Sequence, residues 1–138
     1  MELVINRCYG GFGLSPKALT AYAKLKGSTL TFYKQTKYKF DGGEEEYKRV
    51  KNPKPESFLV ASTVNFGPIT KGFPDDSYYY PDIERNDPDL LKVVKDLGFK
   101  KASGQFAELD IVEILDDISW SIEEYDGREW VSENHRTW

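Results

Sequence analysis

Hydrophobic and polar residues in the first part of the chain change from a strand pattern to a helix pattern. The apolar run from Leu3 to Ile5 predicts a buried strand, because β-branched residues favour extended backbone. Apolar side chains then recur at helical spacing from Ala18 to Leu25. Ser15 is a good N-cap, Pro16 suits the first helical position, and Gly27 is a typical helix end. The pattern predicts a first helix over residues 16–26.

The next part of the chain alternates strand patterns with irregular segments. Ser28 to Lys34 alternates threonine with apolar residues, which predicts a second strand and a β-α-β opening. Residues 35–56 are polar and carry turn-forming glycines and prolines, so a long loop or a protruding hairpin is expected. Phe58 to Val64 has strong β character, and Tyr78 to Tyr80 suggests a further short strand.

A second helix is signalled at both of its ends. Asp87 is a good N-cap, Pro88 suits the first position, and Asp89 is a favourable first-turn acid. Apolar residues follow at helical spacing until Gly98. These signals predict a helix over residues 88–97.

The C-terminal third has the pattern of a β-meander. Residues 106–114 are rich in strand formers, and apolar and polar residues alternate again from Ile118. Asp126 and Gly127 predict a type I′ hairpin turn, which places Ile122 opposite Val131 and Trp120 opposite Glu133. Trp120, Ile122 and Val131 then share one face, which we expect to be core. The chain is therefore predicted to be α+β, with two helices packed on a mixed, mainly antiparallel sheet.

Length and charge limit the class of protein. The 138 residues fit one domain, and an aromatic content of 14% predicts an aromatic-rich core. A formal net charge of -4 argues against general nucleic-acid binding. The charge is uneven, because residues 34–54 are rich in lysine and arginine whereas residues 108–129 hold nine carboxylates. The acidic part can be a solvated sheet face or a mimic of nucleic acid, and surface charge patterns favour the solvated face.

Cysteine content and the N terminus suggest a reducing cytosol. Cys8 is the single cysteine, which excludes an internal disulfide, and with His135 it supplies too few ligands for a structural zinc site. We therefore expect no metal and no cofactor. The N terminus has an acid and three strong hydrophobes in succession, which fits neither a signal peptide nor a membrane span.

The segment between the first strand and the first helix is the main candidate site. Its glycines allow close backbone approach before a helix start, where an anion is favoured. The segment lacks the lysine of a phosphate-binding loop and the third glycine of a dinucleotide fingerprint. The glycines either bind an anion or simply turn the chain and let Phe12 pack. The candidate ligand-binding residues are Arg7, Gly10, Gly11, Gly13, Ser15 and Arg136.

Two further groups of residues are candidates for chemistry or for partner binding. Cys8 lies beside Arg7 and a helix start, so with His135 as base it could be a nucleophile. The alternative is that Cys8 is a small buried hydrophobe. Tyr79 and Trp138 are residue types found at binding surfaces. The favoured alternatives are that Tyr79 lies half-exposed between the inward-packing Tyr78 and Tyr80, and that Trp138 packs back on the sheet.

The terminal motifs resemble a known family. They comprise Val4 to Ser15, the helix start at Asp87 and Pro88, Ile111 to Ile114, Trp120, Glu123 to Gly127, and His135 to Trp138. The chain resembles small proteins encoded by bacteriophages and prophages, from which no activity can be carried over. The resemblance implies an accessory protein in the cytoplasm of an infected or lysogenic bacterium.

Three classes of function remain open at the level of sequence. The first is a non-enzymatic phage accessory protein that binds a host protein or a small anionic, nucleotide-like ligand. One role consistent with such binding is to counter host defence. The second is a small hydrolase or transferase that depends on Cys8 and His135. The third is a virion component, which predicts stable homo-oligomers.

Overall fold

The computed structural model describes residues 1–37, 45–54, 59–71 and 83–133. Within these ranges it has three helices and eight strands, and it confirms the α+β class. The helices are α1 (Pro16–Leu25), α2 (Pro88–Leu97) and α3 (Phe99–Ala102). The strands are β1 (Glu2–Asn6), β2 (Thr31–Lys37), β3 (Glu46–Val50), β4 (Leu59–Ser62), β5 (Ile69–Lys71), β6 (Leu109–Glu113), β7 (Trp120–Tyr125) and β8 (Arg128–Glu133).

The strands of the described ranges form three antiparallel sheets. β1 pairs with β6, β7 pairs with β8, and a four-stranded sheet has the order β4-β2-β3-β5. The first three elements have the expected β-α-β order, but β1 and β2 lie in different sheets. β2 instead pairs antiparallel with β3, the next strand in the chain, and with β4, the strand after that. The C-terminal third supplies the expected strands, but β6 pairs with β1 rather than with β7.

Both predicted helices form where their end signals lie. The Ser15 side chain accepts a hydrogen bond from Ala18 N, and Gly27 follows the helix with φ of 85°. α2 has the predicted bounds, with Asp87 accepting a hydrogen bond from Asp89 N. Gly98 ends α2 and starts the four-residue α3, which the sequence pattern did not predict.

Residues 35–56, expected to be a long loop or a protruding hairpin, contain in their described part the end of β2 and the strand β3, which pair antiparallel. The strand predicted at residues 58–64 forms as β4. The strand predicted at Tyr78 to Tyr80 lies outside the described residues.

Tyr33 is fully buried in the four-stranded sheet, where its hydroxyl donates to Gly67 O at 3.0 Å and accepts from Phe66 N at 2.8 Å. This aromatic side chain therefore ties β2 to the connection before β5.

The main core lies where the helices meet β1, β6 and the inner side of the four-stranded sheet. Leu3, Val4 and Ile5 are fully buried, as predicted for the first strand. Burying the apolar stripes of α1 and α2 against these strands supplies the principal hydrophobic stabilisation. The central cluster comprises Val4, Leu14, Ala18, Leu19, Tyr22, Phe32, Ala61, Ile83, Leu90, Val93, Val94, Ala102 and Leu109.

The β7–β8 hairpin has the predicted register and turn. Ile122 pairs with Val131, Trp120 pairs with Glu133, and the turn residues Asp126 and Gly127 have φ of 51° and 92°. Positive φ at both positions matches a type I′ turn. The three apolar residues share a face as predicted, but they are half-buried rather than fully enclosed. The expectation that this face is core is therefore wrong, because none of the three residues belongs to the central cluster or to the described residues packed against it.

Candidate functional site

Asn6, the last residue of β1, organises the glycine turn that follows it. Its side chain is fully buried. Nδ2 donates to Cys8 O at 2.7 Å and to Gly127 O at 2.8 Å, while Oδ1 accepts from Glu108 N at 2.8 Å. One amide thus joins the glycine turn, the β7–β8 hairpin and the segment before β6. Such a fully satisfied buried polar group fixes the relative positions of the three segments.

Two glycines are required by close backbone contacts in this region. A Cβ atom at Gly10 would lie 1.8 Å from Phe106 O. A Cβ at Gly127 would lie 2.5 Å from Gly11 N and 2.6 Å from Tyr9 O. Because these neighbours are backbone atoms, no side-chain rotation relieves the clash. These contacts favour the structural interpretation of the glycine turn.

The predicted anion-binding residues within the described ranges are engaged in separate contacts with the protein. The Ser15 hydroxyl is buried; it donates to Lys101 O at 2.6 Å and accepts from Ala18 N at 3.1 Å. Gly13 O accepts from Gly104 N at 3.0 Å. Arg7 is exposed and pairs with Asp110 at 3.0 Å. It lines a cleft of about 700 Å³ that Gly10, Gly11, Gly13 and Ser15 do not line. Arg136 lies outside the described residues, so the anion site stays a prediction.

Cys8 is half-buried beside the glycine turn. Its Sγ donates to Phe106 O at 2.9 Å and lies 3.4 Å from Asn6 Oδ1. Neither contact is with a base, and His135 lies outside the described residues. The contacts give Cys8 a place in the packing of the turn, while its pairing with His135 stays a prediction. Across the described ranges, no three His, Cys, Asp or Glu residues are grouped as metal ligands.

A buried ion pair behind the turn was not predicted from the sequence. Arg85 donates to the two carboxylate oxygens of Glu129, with Nη1 to Oε1 at 2.6 Å and Nη2 to Oε2 at 2.8 Å. The guanidinium carbon lies 3.5 Å from the ring centroid of Phe12, and Asn6 N donates to Glu129 Oε1 at 2.8 Å. Strand alternation could have indicated that Glu129 faces inward with Val131, but no local signal identifies Arg85 as its partner.

Four exposed aromatic residues lie on the glycine turn, on the segment before β6 and on the β7–β8 hairpin. Tyr9 is 59% exposed, Phe106 61%, Tyr125 72% and Trp130 41%. Arg128 pairs with Tyr125 across the hairpin and shares its face with Trp130, and its guanidinium carbon lies 6.0 Å from the Tyr9 ring centroid. Tyr9, Phe106, Tyr125, Arg128 and Trp130 are called the aromatic surface below. The predicted partner-binding residues Tyr79 and Trp138 lie outside the described residues.

No protein-family model matches this chain, and comparisons with curated proteins and with solved structures also give no match. No helix within the described ranges is long and apolar enough to cross a membrane. The fold and the site together define an α+β protein in which a glycine turn, a hairpin and a buried ion pair form one junction. That junction and the side chains around it are the candidate functional region of the described chain.

Proposed function

We propose that the chain is an accessory binding protein of a bacteriophage or prophage, and that it contacts a host protein through the aromatic surface. The resemblance of the terminal motifs to phage proteins supports the cellular context. The grouping of four exposed aromatic side chains and Arg128 around one junction is the single observation that carries the binding function. Interference with host defence is the biological role that this context suggests.

The composition of the aromatic surface supports a protein partner. Tyrosine, tryptophan, phenylalanine and arginine are enriched in protein interfaces, and tyrosine, tryptophan and arginine dominate interface hot spots. Their rings offer large contact areas at a low cost in side-chain entropy.

The backbone beneath the aromatic surface supports the same proposal. Tyr9 lies between Cys8 and Gly10, whose backbone atoms are held by Asn6 and packed against Phe106. Tyr125 and Arg128 flank a type I′ turn that packs on Gly11. A rigid backbone beneath the aromatic side chains reduces the conformational entropy that is lost when a partner binds. The glycine turn thus has a role in binding without itself holding a ligand.

A small anionic ligand is the second candidate, and the cleft beside Arg7 favours it. Lys100 supplies a second cation there, and the exposed ring of Phe99 could stack on a base. Glu108 and Asp110 line the same cleft, and Asp110 already pairs with Arg7. Because these carboxylates oppose an anion, the protein partner is the stronger proposal. Calorimetry with nucleoside mono-, di- and triphosphates tests the second candidate, and Lys100→Ala should abolish any binding that occurs in this cleft.

Recovery of the full chain from bacteria infected by the encoding phage, followed by native mass spectrometry, tests the main proposal. We expect a complex with one host protein. Tyr9→Ala and Trp130→Ala should each lower its recovery by about tenfold or more, as hot-spot substitutions do. Leu115→Ala is the matched control, because Leu115 is 71% exposed and lies outside the aromatic surface. Recovery of a complex that is unaffected by either aromatic substitution would overturn the proposal.

A further inference from the structure

A second cleft, of about 630 Å³, lies between the inner face of the β7–β8 hairpin and the turn that leads into α2. Trp120 and Ile122 give it an apolar wall, and both are half-buried. Side chains alternate along a strand, so these two residues lie on the opposite face of the hairpin from Trp130. The cleft is therefore separate from the aromatic surface, and an occupant would be recognised independently.

Some of the charged side chains that line this cleft form ion pairs with each other, and others do not. Arg85 and Glu129 both line it, but they neutralise each other in the bidentate pair. Glu84 and Glu124 are exposed lining residues, and neither forms an ion pair with any residue that the structure describes. The cleft thus keeps two uncompensated carboxylates beside a tryptophan.

The surrounding chain adds to this negative field. Residues 108–133 carry ten carboxylates, against which Arg128 is the single basic residue. Charges of one sign on a surface and in a cleft raise the local concentration of oppositely charged groups. The charge of the region is therefore complementary to a basic partner and repels an anionic one.

We propose that this cleft binds an arginine side chain from a basic segment of a partner protein. The aliphatic stem of the arginine would lie along Trp120 and Ile122, since long cationic side chains bury their stems on apolar surface. The planar guanidinium would then stack on the indole ring and donate to Glu84 and Glu124. Arg85 already sits in such surroundings in the same protein, between the Phe12 ring and Glu129.

A direct test is titration of the purified full chain with a short peptide of alternating arginine and glycine, measured by calorimetry and by the NMR signal of the Trp120 indole N–H. We expect binding that shifts this signal. Glu84→Gln and Glu124→Gln should each weaken the affinity about threefold to fivefold, the range of an exposed ion pair. Glutamine at position 124 retains an oxygen that can accept from Gly127 N, as Glu124 does at 3.1 Å.

Glu123→Gln is the matched control, because Glu123 is exposed on the same strand but faces away from the cleft. Its effect should be under about 1.5-fold, as expected for a charge without a direct partner. Equal weakening by all three substitutions would show diffuse charge attraction and would overturn the proposal. Binding of the peptide without a shift of the Trp120 signal, or no binding of the peptide, would also overturn it. Circular dichroism of each variant verifies that it is folded. The aromatic surface is not involved, so failure here leaves the proposed function intact.

Discussion

Replacement of Glu129 by alanine is expected to lower the free energy of unfolding by about 3–5 kcal/mol. Only 8% of this residue is exposed, and its carboxylate accepts hydrogen bonds from both terminal nitrogens of Arg85 and from Asn6 N. The substitution leaves a guanidinium whose side chain is 18% exposed without its counter-charge. It also removes the partner of a backbone N–H at the end of β1.

This loss is a large fraction of a typical domain stability of about 5–15 kcal/mol. Urea unfolding followed by far-UV circular dichroism measures it directly. Glu123→Ala, on the exposed face of the same hairpin, is the control and should change stability by no more than about 0.5 kcal/mol. The combined substitution of Arg85→Met with Glu129→Leu should cost less than the two single changes together, because no buried charge is left unpaired. A loss below about 1 kcal/mol for Glu129→Ala would refute the structural role of the pair.

Two further predictions concern a close backbone contact and an N-cap. Gly10→Ala should lower the free energy of unfolding by about 3 kcal/mol, because its Cβ would meet a backbone oxygen at 1.8 Å. Gly11→Ala should lower it by about 1 kcal/mol, because Gly11 has φ of 93° but open space around it. Thermal unfolding in which Gly11→Ala is the more destabilising substitution would contradict the contact at Gly10. Burial alone would raise the pKa of Asp87, but hydrogen bonds from Tyr22 and Lys26 outweigh it and hold the pKa below its usual value. Stability should therefore fall as pH drops below about 4, and Asp87→Asn, which keeps the cap, should show a smaller fall in urea titrations between pH 5 and pH 3.

The parts of the fold that could be predicted are those with local signals. Ser15 and Pro16 mark the start of α1 through the hydrogen bonding of a helix end, and Asp126 and Gly127 fix the hairpin through the φ values of its turn. Strand partners carry no such local signal. β1 pairs with β6, more than a hundred residues away in the chain, and alternation within either strand does not identify the other.

The candidate site likewise has features with a local sequence signal and features that only the fold creates. The glycine turn was visible in the sequence, but the reason for Gly10 is the carbonyl of Phe106, which only the fold brings near. Arg85 and Glu129 are likewise distant in sequence and adjacent in space. Exposure is also a property of the folded chain, so Tyr9 and Trp130 could not be distinguished beforehand from aromatic residues of the core.

The affinity of the purified chain for the host protein recovered from infected cells tests the proposed function most directly. Isothermal titration calorimetry should give a dissociation constant that rises about tenfold or more for Trp130→Ala. The constant should stay within about twofold for Leu115→Ala, since isolated exposed residues contribute little. An equal affinity for the wild type and Trp130→Ala, with both proteins folded, would contradict binding through the aromatic surface.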